Sequence, residues 1–138
     1  LFYQSKENVM KKALVLLSGL LLAACGDKAI TSEDLVSTMK ASGVEINDVK
    51  DLKNDKFMVQ GFKERFAFSI PEVAPKGGQA FICEKKEQCT PVFAYFDALK
   101  NIAGPYLYQS PNGKVVLQLN ASLTEETAKK LEQAISKY

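Results

Sequence analysis

The residues whose types could do chemistry are few, and the sharpest are three cysteines, Cys25, Cys83 and Cys89. Cys83 and Cys89 bracket the segment CEKKEQC, with five residues between the sulfurs. A thioredoxin-type dithiol or a zinc knuckle places two residues there, so this spacing fits neither. The chain has no histidine. That removes the commonest general base near neutral pH and leaves few ligands for a metal. No serine lies in the glycine-flanked pattern of a nucleophile elbow, and no glycine-rich phosphate loop is present. Gly77-Gly78 reads as a glycine pair in a turn, and the carboxylates are scattered along polar faces. No catalytic residue, metal ligand or cofactor site is assigned, and an enzyme is not the expected reading.

Cys25 has a different setting. It ends the stretch MKKALVLLSGLLLAAC, residues 10–25. Lys11 and Lys12 open it, and residues 13–24 form a run of twelve apolar or small side chains. A helix needs about 20 apolar residues to span a bilayer, so the run is too short for that. It falls within the roughly 7–15 residues of a secretory signal core. A buried helix is the alternative, but only Ser18 and Gly19 interrupt the branched residues, and they do not divide the run into an amphipathic face. Leu22-Ala23-Ala24-Cys25, followed by Gly26, resembles the lipobox of bacterial lipoproteins. The resemblance implies cleavage before Cys25, a diacylglycerol on its sulfur, and acylation of the new amino terminus. Each buried methylene contributes about 0.8 kcal/mol, and one chain binds only reversibly, so two or more make a stable anchor. The covalent lipid is the only non-protein group expected.

The resemblance also divides the chain. Residues 1–9, LFYQSKENV, read as an upstream extension, 10–24 as the signal peptide, 25–30 as the lipidated cysteine and a short tether, and 31–138 as one globular domain. An aspartate directly after the lipidated cysteine favours inner-membrane retention in Gram-negative lipoproteins. Here that position is Gly26, with Asp27 one later, so the expected address is the outer membrane, facing the periplasm. In a Gram-positive cell the same anchor would hold the protein on the outer face of the plasma membrane. An exported chain meets an oxidising compartment. With Cys25 carrying lipid, Cys83 and Cys89 remain as a pair and are expected to form a structural disulfide, contributing about 2 kcal/mol on the chain-entropy model.

Charge narrows the partners. The chain has 18 basic and 16 acidic residues. Three of the lysines and one acid lie in positions 1–25, leaving fifteen of each sign beyond it. Arg65 is the single arginine, and no basic run exceeds two residues. Nucleic-acid recognition needs a clustered basic face, so none is expected, nor is a polybasic attraction to anionic lipid.

The elements that must position these residues follow from periodicity and turn chemistry. Thr31 or Ser32 can cap a helix over 32–42, with Leu35, Val36 and Met39 on one face and Gly43 as its stop. Residues 44–56 read as a short extended piece and a polar connection. Phe57-Met58-Val59 carries strand signals, and Arg65-Phe66-Ala67-Phe68-Ser69-Ile70 alternates with Phe66, Phe68 and Ile70 facing a core. Pro71 and the loop EVAPKGG lead to a strand over 79–84, making a hairpin. Lys85-Lys86-Glu87-Gln88 reads as an exposed charged loop. Thr90-Pro91 is then the start of a helix ending before Gly104-Pro105, with Val92, Phe96, Leu99 and Ala103 at helical spacing. Phe93, Tyr95 and Phe96 could line a pocket, but packing is favoured. Residues 106–110 and 114–120 form a hairpin around Ser110-Pro111-Asn112-Gly113, with Val115, Leu117 and Leu119 facing the core. Tyr106 and Tyr108 share one face. Asn120-Ala121-Ser122 matches a glycosylation sequon, which is chance in a bacterial protein. A last helix over 125–137 is capped by Thr124, stapled by Leu123 and Ala128, and striped by Ala128, Leu131, Ile135 and Tyr138.

Together these predict an α+β domain, an antiparallel sheet of four to five strands with three helices packed on it. The expected function is a lipid-anchored envelope protein acting as a small binding module, held to the membrane by acyl chains on Cys25 and meeting an envelope protein partner. An exclusion lipoprotein of a phage or plasmid and a disulfide-redox protein are the alternatives.

Overall fold

A computed structural model describes residues 28–138 of the protein. The proposed signal segment, its cleavage residues Leu22, Ala23 and Ala24, and the lipid position Cys25 lie outside the described residues. Among the described residues the fold is α+β: five strands in one antiparallel sheet, with four α-helices.

Helix α1 (Ser32–Ala41) starts where capping chemistry places it. Thr31 is the N-cap, and its Oγ1 accepts from the Asp34 amide at 3.1 Å. Leu35 and Met39 are fully buried one turn apart, and Gly43 follows with φ +90°. Val44 and Ile46 carry the chain into the core on the way to β1 (Asn47–Asp51), all five of whose residues are exposed. This is an edge strand. It is interrupted by a bulge at Asp48, which has φ +51° and whose Oδ2 accepts from the Ser69 hydroxyl at 2.6 Å. Bulges and charges of this kind blunt an open sheet edge.

Strands β2 (Glu64–Ser69) and β3 (Gly77–Ile82) form the expected hairpin, with a 3-10 turn at Pro71–Val73 in its tip. The Gly77-Gly78 pair lies inside β3 and not in the turn as the sequence implied. A Cβ at Gly77 would stand 2.8 Å from Ile70 N and Ser69 Cα, so glycine lets two backbones approach. β4 (Leu107–Gln109) and β5 (Val115–Leu119) complete the order β1-β2-β3-β5-β4. Their Ser110-Pro111-Asn112-Gly113 turn closes through a Gly113 amide to Ser110 carbonyl bond of 2.8 Å.

Helix α4 (Glu125–Ile135) is capped by Thr124 as predicted. Ala128, Leu131 and Ile135 are buried with Leu123, and Tyr138 packs against them. Helices α1 and α4 lie side by side on one face, joined by the Tyr138 and Thr38 hydroxyls at 2.8 Å. Beneath them Phe66, Phe68, Ile70, Ala80, Ile82, Val115, Leu117 and Leu119 form the main core.

The opposite face differs from the sequence expectation. Phe81 and Val116, out of phase with that core, are fully buried under helix α2 (Lys86–Ala98) with Val92 and Phe96. The helix starts five residues earlier than the predicted Thr90-Pro91 cap, because Lys85 is the N-cap. The Lys85 amide donates to Gln88 Oε1 at 3.0 Å, so Lys86, Glu87 and Gln88 are the first turn, not a loop. Thr90 bonds back to the Lys86 carbonyl at 3.1 Å, and Pro91 sits inside the helix. This early start brings Cys89 to Cys83. The predicted helix also breaks at Leu99, and a separate turn α3 (Lys100–Ala103) precedes Gly104. Phe57-Met58-Val59 forms no strand. Its Phe57 stacks on Phe96, with ring centroids 5.7 Å apart, and roofs the second core.

Candidate functional site

The sequence-predicted disulfide is present. Cys83 and Cys89 are bonded, with Cα atoms 5.8 Å apart. It ties the end of β3 to the first turn of α2, with Cys83 2 % and Cys89 0 % exposed. A thiolate must reach a sulfur to exchange with it, and here both sulfurs are shielded. The arrangement serves packing: the pair belongs to the same cluster as Phe81, Val92, Phe96 and Val116. Of the aromatics considered for a pocket, Phe96 is in that core, and Phe93 and Tyr95 pack at its margin. Tyr106 and Tyr108 pack against the main core on the other face.

The polar feature that composition alone did not flag as a site is Arg65. It lies on β2, on the α2 face, between Glu64 and the core residue Phe66. Its guanidinium carbon stands 4.6 Å from the Phe57 ring centroid and 5.4 Å from that of Phe81. Cation–π contacts of this kind hold an arginine in one orientation. The Nε and Nη2 groups both donate to Gln79 Oε1, at 3.0 and 2.9 Å. Gln79 Nε2 donates in turn to Gln118 Oε1 at 3.1 Å. Gln118 Nε2 ends the chain on the carbonyls of Ala103 and Leu119, at 3.3 and 3.2 Å.

Strand register builds this ladder. Gln79 stands opposite Ala67 on β2 and opposite Gln118 on β5, while Arg65, opposite Phe81, reaches Gln79 diagonally. Burial pulls the Arg65 guanidinium below its ordinary pKa, and the charge of Asp55 pulls the other way. Among the described residues no carboxylate lies within salt-bridge distance of it.

Helix α2 covers only the part of this face over Phe81 and Val116. Beside it, a shallow hollow of about 310 Å³ is lined by Leu52, Arg65, Gly77, Gln79, Ala103 and Gln118 among others. Among the described residues the exposed large apolar side chains are Val49 on β1, Met58 in the β1–β2 connection and Ile102 in α3, the last two 85 % and 86 % exposed. Among the described residues no group of histidine, cysteine, aspartate and glutamate side chains is placed to hold a metal ion, and no helix is long and apolar enough to cross a membrane. Comparison with family models, with curated proteins and with solved structures finds no match for the chain.

Proposed function

We propose that the protein is a lipid-anchored component of the bacterial cell envelope whose folded part acts as a small binding module. The observation that carries the reading is Leu22-Ala23-Ala24-Cys25 behind a twelve-residue apolar run and two lysines. Acyl chains on Cys25 would hold the chain at the membrane, and Gly26, standing where an aspartate would favour inner-membrane retention, supports an outer-membrane address facing the periplasm. Five residues separate Cys25 from the N-cap Thr31, so the fold would sit close to the lipid surface. The hollow beside Arg65 supports the binding role, because it offers oriented polar groups without a nucleophile or general base. The buried setting of Cys83 and Cys89 counts against a redox role.

The test is metabolic labelling with radioactive palmitate in a bacterial host, followed by membrane fractionation of the wild type and Cys25→Ser. Label and membrane residence in the wild type, both lost in the variant, are expected. An unlabelled, soluble wild type would overturn the anchor. Crosslinking in intact cells followed by mass spectrometry then identifies the envelope partner, and its loss in Cys25→Ser shows that placement at the membrane is required.

A further inference from the structure

Arg65 has more donors than its protein partners use. A guanidinium carries five N–H groups. The Nε–Nη2 edge is spent on one acceptor, Gln79 Oε1. Nη1 donates to no described residue, which leaves the Nη1–Nη2 edge open beside the hollow. The rest of the ladder cannot turn to serve it. Gln79 Oε1 and Gln118 Oε1 are already acceptors, and both amide nitrogens are already donors. The donor flow therefore ends in a surplus of donors at a positive, aromatic-clamped and partly exposed group, where an external acceptor can replace solvent.

We propose that this open edge of Arg65 binds a singly charged carboxylate, presented in the hollow over the uncovered half of the sheet. The planar fork of two parallel N–H groups matches the two oxygens of a carboxylate. Charge selects the monoanion. The hollow holds one cation and no lysine, and its other polar side chains are the neutral amides of Gln79, Gln118 and Asn120. Asp55 further reduces the net field at the guanidinium. A doubly charged phosphate would want more positive charge than this. The source of the carboxylate is either a peptide chain end or a small organic acid, and both satisfy the same geometry. The proposal rests on the binding-module reading only in treating the hollow as a ligand site; it does not need the anchor.

The test is nitrogen-15 NMR on the full chain, in a neutral detergent that keeps any anchor soluble, following the Arg65 Nε–H resonance. Three probes are titrated: N-acetyl-alanyl-alanine, its C-terminal amide, and acetate. The acid dipeptide is expected to shift the resonance saturably, and the amide to leave it unmoved. Arg65→Lys, which keeps the charge and loses the fork, is expected to weaken binding about tenfold, read from backbone amides around the hollow. Acetate binding as tightly as the dipeptide supports a small acid as the source; tighter dipeptide binding supports a peptide end. Equal shifts with the acid and the amide, or no shift with either carboxylate at tens of millimolar, overturns the proposal on the wild type alone. If an envelope partner is still captured while both carboxylates fail, the site is wrong and the binding-module reading stands. If labelling shows no lipid while the titration succeeds, the reverse holds.

Discussion

Replacing Cys83 and Cys89 together by alanine should cost about 3 kcal/mol of stability, in two separable parts. The bond closes a loop with a sequence separation of 6. On the chain-entropy model a loop that short removes about 7 cal/mol/K from the denatured chain, or about 2 kcal/mol at 25 °C. The sulfurs are also buried, and deleting both leaves a void costing roughly 1 kcal/mol at ~24 cal/mol per Å³. Reduction of the wild type with a phosphine should show the first part alone. Urea unfolding followed by circular dichroism measures both, and the midpoint temperature should fall by about 10 °C or more for the double variant. The m-value should rise slightly, because the denatured chain is no longer cross-linked. A loss below about 1 kcal/mol in the double variant would refute the structural assignment of the pair. Kinetics gives a second check. Reduction in native buffer should wait on opening of the β3–α2 junction and be far slower than in denaturant. Equal rates would mean exposed sulfurs, and the redox alternative would regain its footing.

Three further outcomes follow from the packing. Glu72 accepts from the Thr127 hydroxyl at 2.7 Å and from the Thr124 amide, and these bonds hold its carboxyl below the ordinary pKa, the Thr127 bond most. The stabilisation is complete above the unfolded carboxylate value near 4.5 and is lost as pH falls through the lowered folded one; Glu72→Gln should flatten the decline of melting temperature with acid, and an unchanged slope would dismiss the link. Phe81→Ala should cost about 3–5 kcal/mol and Leu131→Ala about 2–5 kcal/mol in urea unfolding, because each face of the sheet has its own core; a Phe81→Ala loss near zero would mean α2 is not docked. Gly77→Ala should destabilise by about 1–3 kcal/mol or more, since its new methyl meets the backbone of Ser69 and Ile70, and a neutral result in the same assay would show that β2 and β3 can separate without penalty.

Local chemistry made much of this fold readable in advance. Thr31 and Thr124 cap helices because their hydroxyls reach amides three residues on. The alternation of Phe66, Phe68 and Ile70 sets one face of β2 because a strand repeats every two residues. What was not readable depends on distant partners. Val116 and Phe81 look like surface positions if only one face is buried; both faces are covered here, and only α2 says so. Thr90-Pro91 has the residues of a helix start, but Lys85 with Gln88 begins the helix a turn earlier, where Cys89 can meet Cys83. Phe57-Met58-Val59 has strand propensity, yet β1 already occupies the free edge of β2, so the segment folds over the aromatic cluster instead. Glu72 stands 52 residues from the amide it caps.

Arg65 illustrates the same limit at the site itself. Alternation alone puts it on the face away from Phe66, where a lone arginine is ordinarily a solvated side chain. Its role comes from Gln79 and Gln118, 14 residues away along the chain and a further 39 beyond. Those partners are aligned only because β5 inserts between β3 and β4. One face of the sheet carries the main core under α1 and α4, and the carboxylate at its margin, Glu64, accepts from the Ser32 amide and hydroxyl at 2.8 and 3.1 Å. The other is half covered, and its open half must satisfy its polar groups laterally. Each glutamine both gives and accepts within the ladder. The guanidinium does not, because a side chain with donors and no acceptor cannot close a ladder from its end. The end of that ladder therefore leaves solvent-facing donors on an oriented cation, where an external acceptor can take the place of water, and a binding function for the fold is best sought there.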